Sequence, residues 1–276
     1  MLDKAYVSII EWSGLLDEPA RIALLTRVLG MDGYHARQAV RRGVPQVILR
    51  TDVDKAEAAL DAFHAVGVLA FAPTQSELDE RADFHAAKRL IAGSGATYLA
   101  EAWRGEPRTF DAARTFLLVR ASLRSTEKKS IVDQGSAFAA AATATSGMPP
   151  IGHTDFEGDI ASSIARSRTT LTEIIDLHQA DGTRIRLNGD KFSFDVLGDA
   201  RGYTDRDNMD KLAVRLSEQA SRAIVDLDFR QFRCPPGILR TYYQSALGRV
   251  RRTVEAPAFD FYSVWVALMY RRMSRG

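Results

Sequence analysis

One cysteine, Cys234, is the whole thiol content of this 276-residue chain. An internal disulfide and a thiolate metal cluster are therefore both excluded. Long apolar runs are missing as well. The longest candidate, Phe259 to Tyr270, is broken by Asp260 and falls short of the ~18 residues a membrane helix needs. The N-terminal MLDKAYVSIIEWSG lacks the basic start and apolar core of a secretory signal. These features predict a protein of the bacterial cytoplasm with no integral membrane segment. A net charge of only +2 makes no global case for a nucleic-acid partner, and no repeat of solenoid period is present.

Catalytic signatures are equally scarce. Gly93-Ser94-Gly95 is not followed by the lysine of a phosphate loop, and neither a Gly-x-Ser-x-Gly elbow nor a zincin helix occurs. Neither Asp176 nor Asp195 is followed by the Glu-x-Lys pair of a metal-dependent nuclease. Asp176 and His178 lie two apart on a strand, with Glu173 on the opposite face. A carboxylate and an imidazole at that spacing can share a metal or orient a general base. Alternation with Ile175 and Leu177 instead reads as a solvated sheet face. His153 and Asp155 form a second acid–histidine pair in a polar segment. The expectation is a non-enzyme with no cofactor and no metal.

What the chain does have is a well-punctuated N-terminal third. Tyr6 to Trp12 is rich in β-formers. Ile22, Leu25, Val28 and Leu29 recur at helical spacing, and Gly30 supplies a left-handed cap. Ala36, Ala39 and Val40 give a short, small-residue helix that Gly43 and Pro45 end. Asp54 and Glu57 have capping-box spacing, the helix they open buries Ala56, Ala59, Leu60 and Phe63, and Gly67 precedes a strand over Val68 to Phe71. The order β-α-α-β-α-β defines a module over residues 1–74. It resembles the C-terminal domain of the ribosomal stalk protein, carried by Ile22, Gly30, Ala36, the Gly43-x-Pro45 turn, Ala56, Leu60 and the Ala65-Val66-Gly67 turn. The resemblance implies that fold and a protein-docking role. Positions 23 and 26, Ala and Thr, lack the lysines that the family carries on its first long helix.

Gln75 to Asp83 reads as a charged inter-domain linker. A second domain is expected over 84–228. Ala86–Ile91, Thr97–Trp103, Arg114–Arg124, Leu171–Gln179 and Thr183–Leu187 read as strands, and a further one begins at Phe192–Phe194. Asp181-Gly182 and Asn188-Gly189 are turn signals. A helix over Asp207–Ala223 follows, with Leu212, Leu216 and Ala220 on its buried face. About six antiparallel strands are expected, split by a flexible insertion at about 126–168. This order is similar to that of pleckstrin-homology-like domains, in topology alone, where a helix plugs a bent sheet.

Residues 229–276 form a basic, aromatic tail expected to be helical. From Arg230 onward it holds nine arginines, no lysine and two acids, Glu255 and Asp260. Phe261, Val264, Trp265, Leu268 and Met269 have the spacing of a core helix. The fold expected is thus α+β: a small β-α-α-β-α-β module, a split antiparallel sheet capped by a helix, and a helical tail. The function expected is that of a non-catalytic interaction or adaptor protein. Its partner protein would dock on Arg27, Arg37, Arg41 and Arg42, or on Arg249, Arg251, Arg252, Arg271 and Arg272 of the tail. The alternative is an RNA- or ribosome-associated protein using the tail, since arginines pair with phosphate and aromatics stack on bases.

Overall fold

A computed structural model describes residues 3–129, 166–235, 238, 240–246 and 248–274. The α+β class holds, with the N-terminal module, a mixed sheet capped by a helix, and a C-terminal helix all present. The described residues within 1–123, 172–239 and 256–276 make one compact unit, and those within 124–171 and 240–255 make a second.

The first unit begins with β1 (Lys4–Glu11), α1 (Glu18–Leu29), α2 (Gly33–Arg41), β2 (Gln46–Asp52), α3 (Val53–His64) and β3 (Leu69–Phe71). Asp17 caps α1 by accepting the Ala20 amide at 2.9 Å, and Gly30 ends it at φ 65°, the left-handed conformation that glycine adopts without a Cβ clash. The strands pair antiparallel in the order β2-β1-β3. β1 is apolar on both faces because both are covered. Ala5, Val7 and Ile9 join the core under α1, α2 and α3, whereas Tyr6 and Ile10 face a different core. α3 starts one residue before Asp54, so Asp52 occupies the N-cap without a side-chain cap bond and pairs with Lys4 instead. The expected box of Asp54 and Glu57 therefore does not form.

That box appears at the next helix. Residues 75–83 are not a bare linker: α4 (Gln75–Glu80) is held by Thr74 and Glu77, each accepting the other's amide, at 3.1 and 2.8 Å. Leu78 of α4 is buried in the same core as Tyr6. The module at 1–74 is thus part of the larger unit, not a separate body.

β4 (His85–Ala92), β5 (Thr97–Ala102), β6 (Arg108–Asp111), β7 (Thr115–Lys129), β8 (Arg166–Gln179), β9 (Arg184–Asn188) and α5 (Asp205–Gln219) follow. β10 (Ile224–Asp226), β11 (Arg240–Ala246), β12 (Gly248–Val254) and α6 (Ala256–Met273) complete the chain. The order is β11-β12-β7-β8-β9-β4-β5-β6, with β10 on β7. The sheet is mixed rather than antiparallel, because β4 runs parallel to β9 and β10 parallel to β7. Asp181-Gly182 does turn the β8–β9 hairpin, with Gly182 at φ 97°. Asn188 instead caps a short 3-10 turn through the Asp190 amide, and Phe192–Phe194 forms no strand.

Alternation assigns the two faces of this sheet. Leu118, Ile175, Leu177, Ile185 and Leu187 pack with Met209, Leu212 and Leu216 of α5. Leu117, Val119 and Ile174 pack with α6, as do Tyr6, Ile10 and Phe71 of the N-terminal sheet. α6 is therefore enclosed between two sheets, which is why Val264, Trp265, Leu268 and Met269 are buried together with Tyr262, Val266 and Ala267 around the helix.

In the second unit β11 and β12 form an antiparallel hairpin, and β12 pairs with Ser125–Lys129 of β7. The tail is consequently strand over Arg240–Ala246 and Gly248–Val254 and helix only from Ala256. β7 and β8 extend to Lys129 and from Arg166, into the expected insertion at 126–168, and residues 130–165, with His153 and Asp155, lie outside the described residues.

Candidate binding cleft

Asp176 and His178 do not lie on a solvated face. α6 covers that side of β8, leaving Asp176 0% and His178 7% exposed. Arg184 and Arg186 of β9 stand opposite. Arg184 donates to Asp176 Oδ2 through Nε at 3.0 Å and Nη2 at 2.6 Å. Arg186 donates to Oδ1 through Nε at 2.7 Å and to Oδ2 through Nη2 at 2.8 Å, and it also holds Asp260 of α6. Two guanidinium groups and two carboxylates make the cluster neutral, as burial requires. Burial alone would raise the Asp176 carboxyl, but Arg186 and Arg184 outweigh it and hold the group far below the usual carboxylate range. Burial also drives His178 down to about 3, against the pull of Asp176.

Ser263 joins the two. Its hydroxyl donates to Asp176 at 2.6 Å, so its oxygen must accept from His178 Nε2, 2.8 Å away. This is not the arrangement of an activated serine, in which the imidazole takes the hydroxyl proton. Here the hydroxyl donates its hydrogen bond to the carboxylate instead, and Ser263 is 0% exposed. The cluster fastens α6 to the sheet. Glu173 meets Arg120 at 3.2 Å, away from it.

The expected docking arginines are dispersed. Arg27, Arg37, Arg41 and Arg42 are exposed. Arg41 pairs with Glu18 at 3.1 Å, and Arg27 lines a hollow of about 420 Å³ between α1, β2 and α3. Arg271 donates to the Gln179 carbonyl at 2.6 Å, and Arg272 reaches Glu77 at 3.0 Å and lies over Phe71. Arg249, Arg251 and Arg252 fall on β12, where only the backbone is described.

A further concavity lies elsewhere. A cleft of about 510 Å³ runs along β2, and the consecutive residues Gln46, Val47, Ile48, Leu49 and Arg50 all line it. Successive side chains of a strand point to opposite faces, so a continuous run of lining residues means that the strand's edge faces the cleft. Among the described residues that edge is unpaired, since β1 occupies the other side and β2 is outermost. α2 contributes His35 and Ala39, its C-cap Arg42 follows, and the rest of the lining comes from Asp226, Asp228, residues 231–235 and α6. Phe232, Tyr262 and Trp265 make an aromatic floor, with ring centroids 4.8 Å apart for Phe232–Tyr262 and 5.4 Å for Phe232–Trp265. Trp265 is fixed by its indole N–H, which donates to Ser8 of β1 at 3.0 Å.

The floor is acidic and the rim basic. Asp226, 5% exposed, accepts from the Tyr262 hydroxyl at 2.6 Å and from the Asp228 amide at 3.2 Å. Burial raises its carboxyl, the Tyr262 hydrogen bond lowers it in part, and Asp228 raises it further. Burial and Asp226 push the Tyr262 phenol far up, so it remains a proton donor. Arg42, Arg50 and Arg233 are exposed at the rim. Cys234 also lines the cleft, and burial pushes its thiol up to about 11. As thiolate is the reactive form, alkylation by iodoacetamide at pH 8 is expected to be much slower than for free cysteine and to accelerate only as the pH nears 11. Reaction at the free-cysteine rate would contradict this.

None of the lining acids or aromatics was singled out as a site from sequence. Asp226 stands in an ordinary Ile-Val-Asp-Leu-Asp run, and its burial depends on Tyr262, 36 residues later. Among the described residues no group of three or more metal-type ligands occurs, and no helix is long and apolar enough to cross a membrane. Comparison with protein-family models, curated proteins and solved structures finds no match for the chain.

Proposed function

We propose that the chain is a non-catalytic protein-binding adaptor of the cytoplasm, which takes an extended segment of a partner protein as an added strand on β2. One observation carries this reading: the edge of β2, unpaired among the described residues, opens over Gln46–Arg50 onto the aromatic cleft. A free edge presents a row of unsatisfied amides and carbonyls, and proteins usually cover, shorten or interrupt it. Between Gln46 and Asp52 there is no proline or lysine, and the end-to-end ladder with β1 shows a regular strand broken by one register shift. Strand addition supplies affinity through main-chain hydrogen bonds and specificity through pockets for alternate side chains. A cleft of this volume lies within the range of specific ligand sites. Of the N-terminal arginines expected at a docking surface, Arg42 alone lines it.

Selection of a random dodecapeptide display library on the immobilised full-length chain tests the proposal. Enriched peptides are expected, and backbone N-methylation at alternate positions should abolish their binding, since it removes the strand hydrogen bonds. A library that yields no enriched peptide, or winners that tolerate N-methylation throughout, would refute strand addition.

A further inference from the structure

Resting on that reading, we propose that the segment bound by the cleft carries a single basic side chain, whose cation sits against Asp226 beside Tyr262 and Tyr270. Asp226 is almost wholly buried, yet no lysine, arginine or histidine nitrogen lies within ion-pair distance of it among the described residues. Its two hydrogen bonds both arrive at Oδ1, which leaves Oδ2 without a hydrogen-bond donor among the described residues in a side chain that lines the cleft. A buried carboxylate without a counter-charge is costly, and the charge that acts on it, that of Asp228, is of like sign. Arg184 and Arg186 show how this chain treats a buried carboxylate when the role is structural: Asp176 has two guanidinium partners. Asp226 has none.

The geometry of an added strand brings a side chain there. Val47 packs with the α6 core and Ile48 with the core under the helices, so a strand beside β2 directs every second side chain to the α6 side. Tyr262 and Tyr270 of α6 line that side, and aromatic faces add attraction for an ammonium or guanidinium. Both phenols respond to the charge of Asp226. Arg42, Arg50 and Arg233 at the rim repel a run of basic residues, which restricts the ligand to one cation with uncharged or acidic neighbours.

The test measures the library-selected peptides by fluorescence anisotropy against the wild type, Asp226→Asn and Asp228→Asn. Each arginine in a peptide is also replaced by citrulline and each lysine by norleucine. The peptides are expected to share one Lys or Arg, and removing its charge should weaken binding about tenfold or more. Asp226→Asn should weaken binding of the charged peptide similarly and erase the difference between charged and neutral forms. Asparagine keeps an acceptor for Tyr262 and for the Asp228 amide and removes an unpaired charge, so the variant's thermal midpoint should not fall. Asp228→Asn, at an exposed carboxylate, should keep the difference between charged and neutral peptides. Should Asp226→Asn fold poorly, the citrulline and norleucine peptides still carry the test on the wild type. Peptides that bind through their backbone but ignore the loss of charge would overturn the cation site and leave strand addition standing. Unchanged affinity for Asp226→Asn would do the same. A library without any binder would overturn both.

Discussion

Replacing Asp176 by alanine should cost about 3–5 kcal/mol of unfolding free energy. The carboxylate accepts from both Arg184 and Arg186 and from Ser263. Without it, two enclosed guanidinium groups would share only Asp260, whose side chain is 41% exposed. The loss thus reflects stranded charge more than a missing attraction. Replacing Asp176, Arg184 and Arg186 together by Leu, Met and Met should recover most of it, because the charge then left without its partners is that of Asp260, whose side chain is 41% exposed to water. Urea midpoints at neutral pH measure both, and a shift in Asp176→Ala worth under about 1 kcal/mol would show the cluster to be dispensable.

The same cluster sets an acid limit. Both groups have folded values below their unfolded ones, so each contributes stability above its unfolded pKa and loses it as the pH falls toward the folded value. For His178 the window runs from 6.5 down to about 3. For Asp176 it opens near ~3.9 and extends downward. Wild-type stability should accordingly decline from pH 6.5, before ordinary carboxylates titrate. His178→Gln, which keeps a donor for Ser263, should flatten the decline between pH 6.5 and about 4. Superimposable pH profiles of the two proteins would contradict this.

Trp265→Ala carries the second large effect, about 3–5 kcal/mol. The indole is 1% exposed, packs against Phe71, Phe232 and Tyr262, and donates to Ser8. Its removal opens a cavity at the seam between the N-terminal sheet and α6. Since β1 and α6 belong to one compact unit, the variant should still melt with the N-terminal strands and α6 in one step. Separate transitions, with residues 1–74 surviving after α6 is lost, would instead support an independent N-terminal domain.

Elements coded by neighbouring residues were readable from the sequence. Gly30, the Ala36-Ala39-Val40 helix and the Asp181-Gly182 hairpin each depend on a few adjacent side chains, and all three form. The stripe from Val264 to Met269 was also readable as a core helix, because helical spacing survives whatever covers it. What failed was anything decided by distant contacts. The polar run at 75–83 reads as linker because its single buried anchor, Leu78, is outnumbered by charges, yet the Thr74–Glu77 box was available as a local signal. Asp176 and His178 alternate with apolar residues as a wetted face would, and only α6, some eighty residues onward, makes that face interior. The arginines of 240–254 masked a hairpin by suggesting one continuous basic tail. The edge of β2 and the carboxylate of Asp226 have no sequence signature, as one is defined by having no strand beside it among the described residues and the other by the tyrosine that closes over it.

Amide hydrogen exchange along β2, with and without a selected peptide, tests strand addition most directly. In the free protein the amides of Gln46–Asp52 that point away from β1 should exchange rapidly, as unprotected edge groups do. Peptide binding should slow them about tenfold or more, while the helix face bearing Arg37 and Arg41 stays unchanged. Protection on that helix face with no change along β2 would contradict the edge as the docking site.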